Sequence, residues 1–241
     1  MYFGFYECPV CGAYLKAFLP GGLRHAVLVE KSVIGGGPRS SVFCPACRST
    51  DRERLVYLFL KNRPHLLARG TKLLHIAPEL NLSGWLRRLP ELHYVTADLC
   101  KSRVDLHFDL TSIPLPDSTF HAIICNHVLE HIPDDANAIS ELFRILKPGG
   151  WAILQTPISP SLPHTYEDLT ITNCTERERA FGQHDHVRIY AMDYVDRLKT
   201  AGFGVEIFHW RQEDTCFGGN ANKFGLNEEE KLFFASRAYL Q

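Results

Sequence analysis

From Lys72 onward, short apolar runs alternate with amphipathic segments at helical spacing. This is the sequence form of helices layered on a mostly parallel sheet. The runs near 72–77, 93–97, 104–108, 120–126, 150–156, 203–208 and 231–238 predict strands, and the segments near 80–89, 134–147 and 191–201 predict helices. The clearest helix follows Pro133. Asp134 and Asp135 stand at its positive end, Arg144 and Lys147 near its negative end, and Gly149-Gly150 just beyond, as capping and the macrodipole favour. The expected fold of residues 71–241 is α/β, a doubly wound Rossmann-like sheet.

Before this domain, Thr50-Asp51-Arg52-Glu53 forms a capping box, and Leu55, Val56, Leu58 and Phe59 make an apolar stripe. A helix is expected over about 50–63, ended by Pro64, within a connecting segment 49–70. Arg48 just before this segment, and Arg52 and Arg54 on it, face either an anionic substrate or solvent.

Residues 1–48 carry a different signal. Cys8-Pro9-Val10-Cys11 and Cys44-Pro45-Ala46-Cys47 each set two sulfurs on a tight turn, and two such knuckles facing each other complete a tetrahedral S4 site for zinc. An iron site or a redox pair is the alternative. Gly21-Gly22 and Gly35-Gly36-Gly37 suit turns between short strands, giving a small zinc-ribbon-like module. Four protein ligands leave no open position, so Cys8, Cys11, Cys44 and Cys47 are expected to hold a structural metal. Of the eight cysteines, the other four (Cys100, Cys125, Cys174, Cys216) have no nearby partner in sequence and read as ordinary thiols.

Composition narrows the setting. With 45% hydrophobic and 22% charged residues, 241 residues can bury a sizeable core beside a small module. No apolar run approaches the roughly 20 residues of a membrane span, and the N-terminus lacks a secretory pattern, so a cytoplasmic location with no membrane partner is expected. The net charge of −1 conceals a basic end: residues 1–70 hold ten Lys and Arg against four Asp and Glu. Any polyanion should be met there.

In open α/β sheets ligands bind beyond the carboxyl ends of the strands. Those ends read His75-Ile76-Ala77-Pro78-Glu79, Asp98-Leu99, Asp109-Leu110 and Asn126-His127. Asp98 lies 19 residues beyond Glu79, the spacing at which a carboxylate meets a ribose diol; the bland alternative for Asp98 and Asp109 is a turn cap. The run PLPDSTFHAIICNHVLEHIPDDANAISELFRILKPGGWAILQT resembles the class I methyltransferases of the type 11 group, and the whole chain resembles a bacterial subgroup with an N-terminal CPxCG and CPxC pair. The resemblance implies seven strands with the last antiparallel, and S-adenosylmethionine across the strand ends. On that reading Asp98 takes the ribose hydroxyls, Leu99 flanks the adenine and Asp109 meets its amino group, with Leu110 alongside. Asn126 and His127 lie beneath the methionine and methyl portion, and His131 is a further candidate. The first motif departs from the family: His75, Ala77 and Glu79 stand where an acidic residue and glycines are usual. Ala77 still permits close approach, and Glu79 is a candidate for the cofactor's ammonium.

Residues 157–190 are too long for an ordinary connection and are expected to form a lid with the acceptor pocket. His164, Glu167, Asp168, Arg188 and Tyr190 are the candidate substrate contacts, and His184 and His186 around Asp185 the candidate base. A second metal site from His164, Glu167, Asp168, His184 and His186 is a lesser option. The expected activity is methyl transfer to a small molecule or sugar-containing metabolite. An RNA methyltransferase using the basic zinc module and a non-catalytic cofactor-binding scaffold are the alternatives.

Overall fold

The computed structural model describes residues 6–239. The N-terminal portion contains two antiparallel ribbons: β1 (Tyr6–Glu7) with β2 (Tyr14–Leu15), and β3 (Leu19–Gly21) with β4 (Arg39–Phe43). A short helix, α1 (Ala26–Glu30), lies between β3 and β4. Helix α2 (Asp51–Lys61) follows. Then come β5 (Lys72–Ile76), α3 (Leu80–Leu86), β6 (His93–Asp98), β7 (Leu106–His107), β8 (Phe120–Cys125), α4 (Asp135–Ile145) and β9 (Leu146–Ile153). The segment 157–190 folds as β10 (Tyr166–Glu167), α5 (Cys174–Phe181) and β11 (Arg188–Ile189). Helix α6 (Tyr194–Thr200), β12 (Gly204–Phe208) and β13 (Leu232–Ser236) complete the order.

The main sheet has seven strands in the order β7-β6-β5-β8-β9-β13-β12. Pairing is parallel from β7 to β9, and β13 runs antiparallel to both neighbours. Successive residues serve opposite faces: Leu74, Ile76, Ile123 and Cys125 pack with α4 and α6, whereas Leu73, Ala122 and Ile124 pack with α2 and α3. Burial on both faces is why these strands read as continuous apolar runs rather than alternating ones.

Helix α2 is a layer of this sheet rather than a connector, with every residue from Leu55 to Leu60 buried. Its capping box forms: the Glu53 amide donates to Thr50 Oγ1 at 3.1 Å and the Thr50 amide to Glu53 Oε2 at 2.9 Å. Glu53 Oε1 also accepts from the Asn81 amide at 3.1 Å, so one carboxylate serves the first turns of α2 and α3.

Arg54 corrects the sequence expectation for this helix, since it meets neither substrate nor solvent. Fully buried, it donates to the carbonyls of Ser41, Val42, Ser49, Phe224 and Gly225 and stacks on Phe18. Arg48 lies over the Phe43 ring. Helix α4 also ends differently from expectation. It stops at Ile145 and passes directly into β9. Its final carbonyls are met by the Arg237 guanidinium, which donates to Phe143, Arg144 and Leu146, so Lys147 and Gly149-Gly150 belong to an irregular strand start instead of a cap.

The segment 157–190 is joined to the N-terminal portion by an apolar cluster of Val27, Leu28, Val33, Phe181 and Ile189. Gly182 ends α5 at φ 84°, and a Cβ there would stand 2.4 Å from a Leu28 methyl. The close approach requires glycine.

Candidate functional site

The four knuckle sulfurs converge. The Gly12 amide donates to Cys8 O at 2.8 Å and the Arg48 amide to Cys44 O at 2.9 Å, and both residues have left-handed φ (73° and 66°), so the two turns share one form. All four Sγ atoms lie within 4.8 Å of one another, with Cys8–Cys47 at 3.7 Å and Cys11–Cys44 at 3.9 Å. Sulfurs at about 2.3 Å from a tetrahedral ion are separated by about 3.8 Å, so the spacing fits a metal. Ser49 Oγ lies 3.4 Å from Cys8 Sγ and 3.2 Å from Cys47 Sγ.

At the carboxyl ends of β5, β6 and β8 lies a cavity of about 740 Å³ lined by Ala77, Asp98, Leu99, Asp109, Leu110, His127 and His131, among others. Asp98 Oδ1 accepts from the Cys100 and Lys101 amides at 2.9 Å, and Lys101 Nζ stands 3.3 Å from Oδ2. Against a desolvation that raises its pKa, these groups hold the carboxyl below its usual range. Asp109 Oδ1 accepts from the Thr111 amide and hydroxyl at 2.8 Å, which likewise keeps it ionised. Each carboxylate caps a local turn and lines the same cavity.

The first motif is rebuilt around an internal pair. Buried His75 contacts Tyr94 Oη at 2.8 Å through Nδ1 and Glu79 Oε2 at 2.6 Å through Nε2, while Asn126 Nδ2 donates to Glu79 Oε1 at 3.0 Å. Although burial opposes it, this pairing brings the Glu79 pKa down to about 2. His75 and Glu79 do not line the cavity; Ala77 does, and its φ of +49° is that of a glycine position. His127, across the cavity, has φ +55°. Two strained non-glycine residues beside one cavity mark a place where backbone geometry is held for a purpose. Asn126 Oδ1 and His127 Nε2 are buried without a hydrogen-bond partner. Two carboxylate acceptors, apolar Leu99 and Leu110 and the unpaired His127 Nε2 donor, with the Asn126 Oδ1 acceptor beside it in sequence, fit a nucleoside bearing an amino-acid tail.

A second cavity of about 580 Å³ lies on the other side of His127 and His131, which line both. Gly21, Gly22, Leu23, Leu28, Val33, Gly35, Val42 and Phe43 form one wall, and Thr50, Arg52, Glu130, Phe181, Gln183 and His186 much of the rest. Arg52 Nη1 donates to Gly35 O at 3.1 Å and to His127 Nδ1 at 2.9 Å. Because guanidinium only donates, His127 Nδ1 is an acceptor and the neutral ring carries its proton on Nε2. Burial and the Arg52 charge lower the His127 pKa accordingly.

Near Arg52, buried Glu230 is pushed up to about pKa 7, mainly by desolvation. Its folded pKa exceeds its unfolded one, so the stability it contributes is full below about pH 4.5 and lost as pH rises through 7. Glu230→Gln is therefore expected to melt above the wild type at pH 8, by on the order of 2 kcal/mol, and to converge with it near pH 4.5. Thermal melts at the two pH values check this; a pH-independent difference contradicts it.

The lid candidates separate into two groups. Asp185 lines the first cavity and His186 the second, whereas His184 is 60% exposed. None of His164, Glu167, Asp168, Arg188 and Tyr190 lines either cavity. Buried Arg188 donates to the carbonyls of Leu129, Ile132 and Pro133 and to Glu167, and Tyr190 Oη donates to Asp135 Oδ2 at 2.6 Å. Glu167 also pairs with Arg197, Asp168 caps its own turn through Thr170, and His164 is exposed. These polar groups fasten the segment to α4 and α6. The lesser option of a metal site from His164, Glu167, Asp168, His184 and His186 finds no such convergence. Instead Glu130, His131 and His186 converge. In sequence Arg52 is one of three similar arginines, and the signal for Glu130 is slight: a glutamate between an apolar residue and a histidine in VLEHI.

The strand order, the antiparallel β13 and the cavity at the strand ends define the Rossmann-like fold of class I methyltransferases. Residues 85–154 match the family model described as a methyltransferase domain, of the type 11 group. A probable S-adenosylmethionine-dependent methyltransferase of Mycolicibacterium smegmatis is 33% identical over 112 residues, 44% of this chain and 39% of that protein. An uncharacterised methyltransferase of Mycobacterium tuberculosis is 34% identical over 82 residues, 34% of this chain and 42% of that protein. The chain thus spans about two fifths of the length of these relatives. The S-adenosylmethionine-dependent methyltransferase structure from Mesorhizobium loti superposes with a TM-score of 0.50 at 14% identity, over 75% of this chain and 98% of that one. Residues 85–154 thus match a methyltransferase domain, and a relative similar over part of the chain is described as a probable S-adenosylmethionine-dependent methyltransferase. The family match begins beyond the four-cysteine segment.

Proposed function

We infer that the protein transfers a methyl group from S-adenosylmethionine to a small molecule or sugar-containing metabolite. The observation that carries this reading is the pair of cavities meeting at His127 and His131, one lined by the strand-end carboxylates and the other by the N-terminal module. The cofactor supplies an electrophilic methyl on a sulfonium. Asp98 accepts from the ribose hydroxyls, Leu99 and Leu110 hold the adenine, and Asp109 meets its amino group. The His75–Glu79 pair, bonded to Asn126, backs the turns that carry Ala77 and His127 toward the amino-acid tail, and His127 Nε2 donates toward the junction of the cavities. Zinc on Cys8, Cys11, Cys44 and Cys47 holds the module that walls the acceptor side, and a reducing cytoplasm keeps those thiols available.

The charge distribution supports a small acceptor over RNA. Of the N-terminal arginines, Arg39 pairs with Asp51, Arg63 with Glu213, and Arg54 is buried, so part of the basic charge is engaged within the fold. Calorimetric titration tests the reading: the wild type should bind S-adenosylmethionine, and Asp98→Ala should bind it about 10- to 150-fold more weakly, the worth of a hydrogen-bonded carboxylate, roughly 1.5–3 kcal/mol. A folded wild type that binds no S-adenosylmethionine would falsify the assignment.

A further inference from the structure

We propose that Glu130, His131 and His186 form a divalent transition-metal site, separate from the four cysteines, that presents open coordination positions to the acceptor cavity. Glu130 and His131 lie in the turn after β8, and His186 in the turn before β11. One ligand atom from each lies within 4.8 Å of the other two. Ligands about 2.1 Å from one ion stand at most about 4.2 Å apart, so the group needs only a small side-chain adjustment.

The surroundings are those of a ligand set. Asp185 Oδ2 lies 3.2 Å from His131 Nδ1. A carboxylate on one imidazole nitrogen fixes the tautomer and leaves Nε2 to bind a cation. Glu130 is 2% exposed; Thr156 Oγ1 donates to its Oε2 at 3.2 Å. Its Oε1 faces His127 Nδ1 at 3.5 Å, a nitrogen that already accepts from Arg52 and has no proton to give. His186 meets the His131 ring edge-on at 4.6 Å, and its side chain has no hydrogen-bond partner among the described residues.

All three side chains line the acceptor cavity. Two imidazoles and one carboxylate on one side of an ion leave its remaining positions open, in contrast to a closed S4 site. One carboxylate leaves a divalent ion with a net positive charge, suited to an acceptor that offers two adjacent oxygens, such as a diol or hydroxy acid. On binding, the acceptor O–H bond breaks with its electron pair kept on oxygen, and the proton leaves to water through the open cleft. The acceptor class rests on the methyltransferase reading; the metal site does not.

The test is Co²⁺ titration of the full-length protein with its cysteine site already filled by zinc. A second site should appear as weak visible absorption without a sulfur-to-cobalt charge-transfer band, and catechol should shift that absorption by entering the open positions. Glu130→Gln and His186→Gln should each weaken Co²⁺ binding at least about tenfold, and Asp185→Asn by about 10- to 100-fold, while Glu130→Gln keeps its zinc and its affinity for S-adenosylhomocysteine. Wild type that takes up no cobalt beyond the cysteines, or variants that bind it equally well, would overturn the site. S-adenosylhomocysteine binding without cobalt uptake refutes the metal and leaves the methyltransferase reading; cobalt uptake without any S-adenosylhomocysteine or S-adenosylmethionine binding does the reverse.

Discussion

Arg54→Met should destabilise the protein by roughly 3–5 kcal/mol, lowering the melting temperature by about 10 °C. The side chain is completely buried, and its guanidinium donates to five carbonyl oxygens at 2.7–3.0 Å. Methionine matches much of its volume but leaves those oxygens without donors, at about 1–3 kcal/mol for each that water does not reach. The oxygens belong to β4, the loop before α2 and the loop before β13, so all three should loosen together. Arg54→Lys should recover only part of the loss, because an ammonium cannot reproduce the planar fork. Denaturant melts of the three proteins measure this directly; Arg54→Met within a few tenths of a kcal/mol of the wild type would mean that the carbonyls find other donors.

Cys44→Ser has an expected effect of a different kind. Cys44 is buried, and desolvation together with the neighbouring Cys8 raises its thiol pKa, so a cation is needed to hold the sulfurs together as thiolates. The variant should lose the zinc proposed for the four cysteines and loosen the wall built from Gly21, Leu23, Val33 and Phe43. Acceptor kcat/KM should fall on the order of 100-fold, as expected when a positioning surface is displaced. Cofactor affinity should change only a few-fold, because the first cavity is lined by residues from Ile76 onward. Metal analysis, calorimetry and turnover on one preparation separate these effects; stoichiometric zinc with normal melting would contradict the account.

The sheet was legible because burial on both faces writes each strand as an apolar run, and α2 because its capping box is local. The end of α4 was not, since Arg237, almost a hundred residues away, supplies what a glycine cap usually does. Strand ends pointed to Asp98, Asp109 and His127, which share one cavity. Residues 157–190 are ambiguous in sequence for a physical reason. A dense set of His, Asp, Glu, Arg and Tyr looks the same in sequence whether it faces a ligand or a neighbouring helix, and Arg188, Glu167 and Tyr190 face the neighbours. That residues 21–43 wall the second cavity is not legible in sequence, because periodicity says nothing about which loops meet in space.

The partners of Arg54 have a bearing on biosynthesis. Phe224, whose carbonyl it holds, follows 170 residues later, and the Glu7 amide reaches Lys223 O at 2.8 Å in the same loop. During translation the cysteine ribbons emerge before the sheet, yet their last contacts appear only when the loop between β12 and β13 has left the ribosome. Until then the early segment has a metal cradle but no completed seat, and shortening the chain from its far end would undo its beginning.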